Sequence, residues 1–311
     1  MTMEYRTLGK TGLKVSALGL GGSSLGSHFR PVDEADAIRT VHLALDLGVN
    51  YIDTSPFYGL TRAETVLGKA LLGIPRDRYY VGTKVGRYGD DEFDFSAART
   101  KASVDESLKR LGLDYVDLIQ VHDSEFRSYD QVIEETLPVL RDVCKVGKAR
   151  FVGITGYPLK LFRTITARAE VDAFLTYCHY TLWNDLALGL VTELEGKNLG
   201  VINAAVLGLG LLTKHGPFQG HPASEALRDA CAKALAYCES RGVDLSALAI
   251  QYAVANEKFH TTLVGTADPE ELRRNVSAAE TPLDSGLLSE VQKILEPIRN
   301  QIWVYGRPEN N

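Results

Sequence analysis

The sequence predicts an α/β protein, a (β/α)8 TIM barrel with an N-terminal β-hairpin and extra C-terminal helices. Three observations predict it. Apolar strand-like runs alternate with amphipathic helical stretches about eight times across short loops, and parallel strands need such helical crossovers. Three consecutive runs end on a charged or imidazole side chain: NYID at Asp53, YYVGTK at Lys84 and YVDLIQVH at His122. The C-terminal ends of barrel strands are where chemistry collects. The 311 residues suit one barrel of about 250 residues with additions. No linker, low-complexity tract or short repeat divides them, so residues 1–311 read as a single domain.

In order along the chain, runs at 4–8 and 13–17 flank GKTG and predict a hairpin that covers the bottom of the barrel. SALGLGG is the first inner strand. Gly19 and Gly21 imitate the start of a dinucleotide fingerprint, but Ser24 replaces the third glycine and the next helix begins near Asp33, so a Rossmann site is rejected. From Asp33, a natural N-cap, Ala37, Val41, Ala44 and Leu45 recur at helical spacing. NYID, YYVGTK and YVDLIQVH are strands two to four. AETVLGKALLG and SAARTKASVDESLKRLG are the helices between them, the latter capped by Ser96. QVIEETLPVLRDVCKVGK leads to strand five, RFVGITG. A short helix after Pro158 leads to strand six, VDAFLTYCHY, and DLALGLVTELEGKNLG to strand seven, GVINAAVLG. A long helical region, EALRDACAKALAYCESRG with LSALAIQYAVANE, precedes strand eight, HTTLVGT, and its helix DPEELRRNVSA.

Composition excludes several classes. A net charge of -6 without a dense Lys/Arg cluster gives no footprint for nucleic acid or an anionic membrane, which points to small-molecule partners. Cys144, Cys178, Cys231 and Cys238 lack CxxC spacing and read as reduced structural thiols. No apolar leader and no run of about 18 apolar residues is present, so a cytoplasmic protein is expected. The sequon at Asn275 reads as chance.

Asp53, Tyr58, Lys84 and His122, converging at one barrel mouth, define a chemistry. A free tyrosine has a pKa of about 10 and is a poor proton-transfer group near neutrality. A lysine ammonium beside it favours the phenolate, and an aspartate keeps the lysine charged. Tyr58 then exchanges a proton with a substrate oxygen that a neutral His122 orients. The set holds no metal cage and no pair of carboxylates for glycoside chemistry. Proton transfer at oxygen without a covalent step needs a second reagent to change the carbon, and a nicotinamide is the natural one.

Through LGKTGLKVSALGLG, GVNYIDTSPFYG followed by Glu64, VGTK and VHD, the chain resembles the aldo-keto reductase superfamily over nearly its whole length. The resemblance implies that Asp53, Tyr58, Lys84 and His122 are a catalytic tetrad and that a dinucleotide lies extended across strands five to eight. Carried over by position, the cofactor residues are Ser23, Asp53, Thr155, Tyr177, Ala205, Leu207, Gly208, Gly210, Gly265, Thr266, Glu271, Arg274 and Asn275. Several depart from the family pattern. Thr155-Gly156 replaces Ser-Asn, Tyr177 replaces Gln, and Ala204 replaces the stacking Tyr, leaving Tyr177 or Tyr180 to cover the nicotinamide. NADP-preferring relatives carry Lys and Arg where this chain has Gly265 and Glu271, so NAD is expected over NADP, with Arg273 and Arg274 the nearest cations.

The runs FDFSAARTKASVDESLKRLGLDYVD, GITGYPL, YCHY and GPFQGHPAS resemble the sugar dehydrogenases of this superfamily. What that implies is oxidation of the anomeric C1 of a free aldose, L-galactose first and L-fucose or another D-threo-aldose second, in ascorbate formation or sugar catabolism. Phe57, Asp123, Trp183 and Trp303 are the candidate sugar contacts beside Tyr58 and His122. An NADPH-dependent carbonyl reductase and a nicotinamide-sensing regulatory subunit are the alternative classes. A monomer or weak homodimer is expected.

Overall fold

The computed structural model describes residues 2–311. Strands β1 (Tyr5–Thr7) and β2 (Lys14–Ser16) pair antiparallel with Tyr5 opposite Ser16, forming the expected hairpin. Its apolar residues Leu8, Leu13 and Val15 pack with Tyr51, Leu118, Ala173, Leu175, Ile202 and Leu263 inside the barrel, so the hairpin plugs one end. Arg6 anchors it by donating to the carbonyls of Val254 at 2.8 Å and Phe259 at 2.9 Å. The open end is left for chemistry.

The barrel is closed and parallel. Its strands are β3 (Leu18–Gly21), β4 (Tyr51–Asp53), β5 (Tyr80–Val85), β6 (Val116–His122), β7 (Ala149–Gly156), β8 (Ala173–Tyr177), β9 (Gly200–Ala204) and β10 (Thr261–Gly265). Each pairs with the next, and β10 closes on β3. Alternation sorts the side chains: on β8, Ala173 and Leu175 point into the barrel while Phe174 packs outward against Phe162.

Helices α1 (Glu34–Asp46), α2 (Arg62–Leu71), α3 (Ala97–Leu111), α6 (Leu159–Arg168) and α7 (Leu186–Leu194) cross between strands. Between β6 and β7, α4 (Tyr129–Gln131) runs through a π segment, Val132–Thr136, into α5 (Leu137–Lys145). Helices α8 (Glu225–Glu239) and α9 (Leu245–Val254) follow β9, and α10 (Pro269–Glu280) follows β10. The last helix, α11 (Ser285–Leu295), is not delineated by the sequence pattern, although Asp284 caps it. It packs on α8 through Val291 and Leu295 against Leu227, Cys231 and Cys238 in a second core beside the barrel. Asp33 and Ser96 cap α1 and α3 as the sequence predicts. All four cysteines are free. Among the described residues no helix is long and apolar enough to cross a membrane.

Strands six and seven of the sequence reading overrun. Cys178 turns to φ 61° and Ala205 to φ 51°, conformations that no strand accommodates. Residues 178–180 and 205–208 therefore leave the sheet as loops at the open end.

Candidate active site

Asp53 ends β4 and Lys84 lies near the end of β5, both facing inward and almost fully buried. The Lys84 ammonium donates to Asp53 Oδ1, and to the Thr54 carbonyl at 2.8 Å. Burial works against that ammonium, but Asp53 and Tyr58 outweigh it and hold Lys84 above the ordinary lysine range. Burial also pushes the Asp53 carboxyl up, opposed by Lys84 and by Gln120.

Tyr58 sits in the loop after β4. The loop is pressed against the turn after β3, where a side chain on Gly59 (φ 60°) would collide with the Gly26 carbonyl. Lys84 Nζ lies 4.6 Å from the Tyr58 ring centroid. The phenol nevertheless rises above 10: burial dominates, Lys84 pulls it down and Asp53 pushes it up again. Contrary to the simple expectation from Lys84 alone, the phenol is therefore firmly protonated at neutral pH in the unliganded protein.

His122 ends β6, its ring 5.7 Å from that of Tyr58 and nearly perpendicular to it. Burial, Lys84 and Arg87 hold it well below the usual imidazole range, so it is neutral. Ser55 Oγ accepts the Phe57 amide at 3.1 Å and hydrogen-bonds His122 Nδ1 at 3.0 Å. With the Ser55 hydrogen on that bond, the proton of the neutral imidazole is carried by Nε2. Ser55 carries no weight in the sequence reading, and neither does Arg87, which joins two site candidates to a tyrosine. Arg87 Nη1 donates to Asp123 Oδ2 at 2.6 Å and to Tyr305 Oη at 2.9 Å, and its guanidinium lies 3.8 Å from the Phe57 ring centroid. Phe57 and Asp123 are therefore brought to His122, together with a tyrosine from the C-terminal tail.

The other aromatic candidates separate. Trp303 stacks on Tyr157 at 4.9 Å, and Tyr157 in turn meets Tyr177 at 5.4 Å, so both reach the β7–β8 side of the mouth. Trp183 does not join them. It is buried against Gly208 in the second core, and its Nε1 donates to the Gln301 carbonyl at 3.3 Å. Its place there is to anchor the start of the tail. Tyr180 is likewise removed, stacked between Tyr252 and Phe259 with its hydroxyl accepting from Asn256 at 2.9 Å. Tyr177 alone remains to cover a ring bound at the mouth.

The candidate cofactor residues line the ends of β7 to β10 and the turn after β3. Thr155 is in register with His122 across β6 and β7, and Tyr177 is the last residue of β8. Ala205, Leu207, Gly208 and Gly210 form the turn after β9, which stays tight through left-handed residues such as Ala205, Gly208 and Gly210. At the β3–β10 side, Gly21 and Gly265 leave bare backbone: a Cβ on Gly265 would stand 3.4 Å from the hydroxyls of Ser23 and Ser24. A groove of about 930 Å³ adjoins them, lined among others by Ser24, Arg30, His215, Asp268, Glu271 and Arg274. Asn275 lies next to Arg274 on α10.

Glu271 is the groove's organising group. It accepts from Thr266 at 2.7 Å, from Arg30 at 3.2 Å through both oxygens, and from His215 at 3.3 Å. Burial acts to raise its carboxyl, but Thr266 and Arg30 together hold it below the usual range. The Glu271 carboxylate can accept from a ribose diol, and Arg30, His215 and Arg274 offer positive charge to a phosphate in the same groove. The residues present therefore fit a dinucleotide.

A closed parallel barrel with this Asp-Lys-Tyr-His group at the mouth, beside a groove suited to a dinucleotide, defines an oxidoreductase of the nicotinamide-dependent barrel class. The sequence profile of the Aldo/keto reductase family matches residues 17–296, and the chain belongs to that family. It is 47% identical to L-galactose dehydrogenase of Arabidopsis thaliana over 99% of each chain. It is 34% identical to D-arabinose 1-dehydrogenase of Saccharomyces cerevisiae over 93% of this chain and 91% of that one. Among solved structures, aldo-keto reductase AKR11C1 from Bacillus halodurans (holo form) superposes with a TM-score of 0.80 at 28% identity, covering 97% of this chain and 98% of the other.

Proposed function

We propose that the protein oxidises the anomeric carbon of a free aldose, L-galactose foremost, to the corresponding lactone with NAD as the oxidant. The observation that carries the reaction is the grouping of the Tyr58 phenol, the buried Lys84-Asp53 pair and a neutral His122 at one mouth. Identity of 47% to an L-galactose dehydrogenase over 99% of the chain supports the substrate. His122 Nε2–H donates to the C1 oxygen and fixes its position. Tyr58 Oη takes the C1 hydroxyl proton, and Lys84 stabilises the phenolate that accepts it. The chemistry that a bound nicotinamide supplies is acceptance of the C1 hydrogen with its electron pair. Because C1 also carries the ring oxygen, the product is a lactone. Phe57, Asp123 and Trp303 face the sugar in this reading. Thr155, Tyr177, Ser23, Gly265, Thr266 and the turn from Ala205 to Gly210 hold the cofactor, with Glu271 selecting against a 2′-phosphate and Arg274 and Asn275 at the groove's edge.

The test is the initial rate of nicotinamide reduction with NAD and NADP, each offered against L-galactose, L-fucose, D-arabinose and pyridoxal. NAD should exceed NADP by about tenfold in kcat/KM, a difference of about 1.4 kcal/mol. The sign of the pH dependence follows from Tyr58. Its phenol lies above 10, and oxidation needs it able to accept a proton, so the rate should climb between about pH 6 and pH 10. His122, held neutral, contributes no break in that range. A flat profile would contradict the role of Tyr58. Oxidation of NADPH by simple aldehydes without any sugar oxidation would establish a carbonyl reductase instead.

A further inference from the structure

Strand β6 sends Leu118, Gln120 and His122 to the inner face, Leu118 in the barrel's apolar interior and His122 at the mouth. Gln120 is the layer between them and is fully buried. Its Nε2 donates to Asp53 Oδ2 at 2.7 Å, while Asp53 Oδ1 receives the Lys84 ammonium. The carboxylate is therefore held on both oxygens. One grip is ionic and faces Tyr58; the other is a neutral amide rising from beneath. Gln120 Oε1 has no partner, so the amide's orientation is set by Asp53, since turning it over would bring two acceptors face to face.

The neighbouring strands are cleared for this contact. Gly153 pairs with Gln120 across β6 and β7, and a Cβ there would stand 3.0 Å from Gln120 Cγ. A Cβ on Gly82 would stand 3.0 Å from Asp53 Oδ2 and 2.5 Å from Tyr51 Oη. Two strands each give up a side chain where the Asp53-Gln120 pair sits. An ordinary barrel layer would fill that space with branched apolar residues.

We propose that Gln120 is a positioning residue of the reaction, acting through Asp53 and Lys84 to keep the Tyr58 phenol available as proton acceptor. The inference rests on the reading of Tyr58 above. Remove the amide and Asp53 Oδ2 becomes a buried acceptor without a donor, a burden that falls on the charged carboxylate. Asp53 then shares the Lys84 proton more readily, and the positive charge beside the phenol weakens. Titratable groups facing this pair are Tyr51 on β4, Lys84 on β5, Arg87 in the loop after β5, His122 and Asp123 at the end of β6, and His28 in the loop after β3. Tyr51 and Lys84, like Tyr58, are held above their ordinary values and His122 well below its own, so the Tyr58 titration is told from theirs by the difference from Tyr58→Phe.

The experiment compares the parent enzyme with Gln120→Met, which keeps length and volume but loses the donor, and with Gln120→Glu, whose protonated form can replace it. For each, kcat and KM are measured against pH with NAD and L-galactose. Gln120→Met should move the rising limb of kcat toward alkaline pH by about one unit, a deficit of about tenfold near neutrality that closes as pH rises. KM for NAD and sugar should stay within about twofold. Gln120→Glu should work at the lower end and fail at the upper, as two adjacent carboxylates lose their shared proton. A uniform loss at every pH, or a profile that overlays the parent's, would overturn the proposal and leave Gln120 as packing. The same displacement is read without substrate from the alkaline phenolate absorbance of each protein minus that of its Tyr58→Phe counterpart. If Tyr58→Phe keeps its activity, the Tyr58 reading fails. If Tyr58→Phe is inactive and Gln120→Met leaves the Tyr58 midpoint unmoved, only the Gln120 inference fails.

Discussion

Tyr58→Phe should lower kcat/KM for sugar oxidation by about a thousandfold, within the range of about 10² to 10⁴ that a positioned acid or base contributes. The substitution removes one oxygen, and with it the hydroxyl's bond to the Lys84 ammonium, and leaves the ring, whose contacts with His28, Phe57 and His122 run through its face or edge. Folding stability should therefore move by less than about 1 kcal/mol, and NAD affinity should be unchanged. What disappears is the hydroxyl at the mouth that the Lys84 charge pulls toward ionisation. The check is steady-state kinetics beside a thermal melt and a cofactor titration. Retention of more than about a tenth of the parent activity would mean that another group, or water, takes the proton.

Lys84→Met carries the second large effect and separates charge from packing. Lys84 is 1% exposed and its ammonium is bonded to Asp53 and to the Thr54 carbonyl. Replacing it with an apolar chain of similar length leaves a buried carboxylate whose ionic partner is gone, which costs about 3 to 5 kcal/mol. Without the ammonium the Tyr58 phenol loses its one strong pull downward, so kcat near neutrality should fall by about a hundredfold or more. The companion variant, Asp53→Asn with Lys84→Met, removes the stranded charge. It should recover part of the stability and none of the activity, a non-additivity expected of residues that act as a unit. Recovery of both together would show that Lys84 is a structural ion only.

Much of this architecture is legible in the residues. The three strand ends at Asp53, Lys84 and His122 stand out because a buried apolar strand has little reason to stop on a polar side chain unless it empties into a site. The helix starts at Asp33 and Ser96 stand out because a short polar side chain before a periodic stretch has one strong local use, and both side chains do accept from the backbone three residues on. Gln120 escapes the sequence reading although its position gives it away: on β6 it shares parity with Leu118 and His122, so it has to point into the barrel. The same rule points Tyr177 inward with Ala173 and Leu175, whereas Tyr180 lies beyond the left-handed Cys178, where strand alternation no longer applies.

Other features carry no local signal. Arg87 lies in a loop with no periodicity, and its partner Tyr305 arrives from 218 residues away along the chain. That tail is held by long-range bonds to the loop after β6: Arg307 and Asn310 both donate to the Glu125 carbonyl. Such closure depends on where loops finish in space, which pattern alone does not encode. The misplacement of Trp183 has the same origin. An aromatic residue in a loop near a mouth looks like a sugar contact until the tail it anchors is seen.

The most direct test of anomeric oxidation pairs L-galactose with its methyl glycoside, each offered with NAD to the parent enzyme. The two share every ring hydroxyl except that at C1, where the glycoside has no proton for Tyr58 to accept. The account predicts reduction of NAD with the free sugar, lactone as the product, and no reduction with the glycoside. Equal reduction with both would place the oxidised carbon elsewhere on the sugar and contradict the proposed reaction.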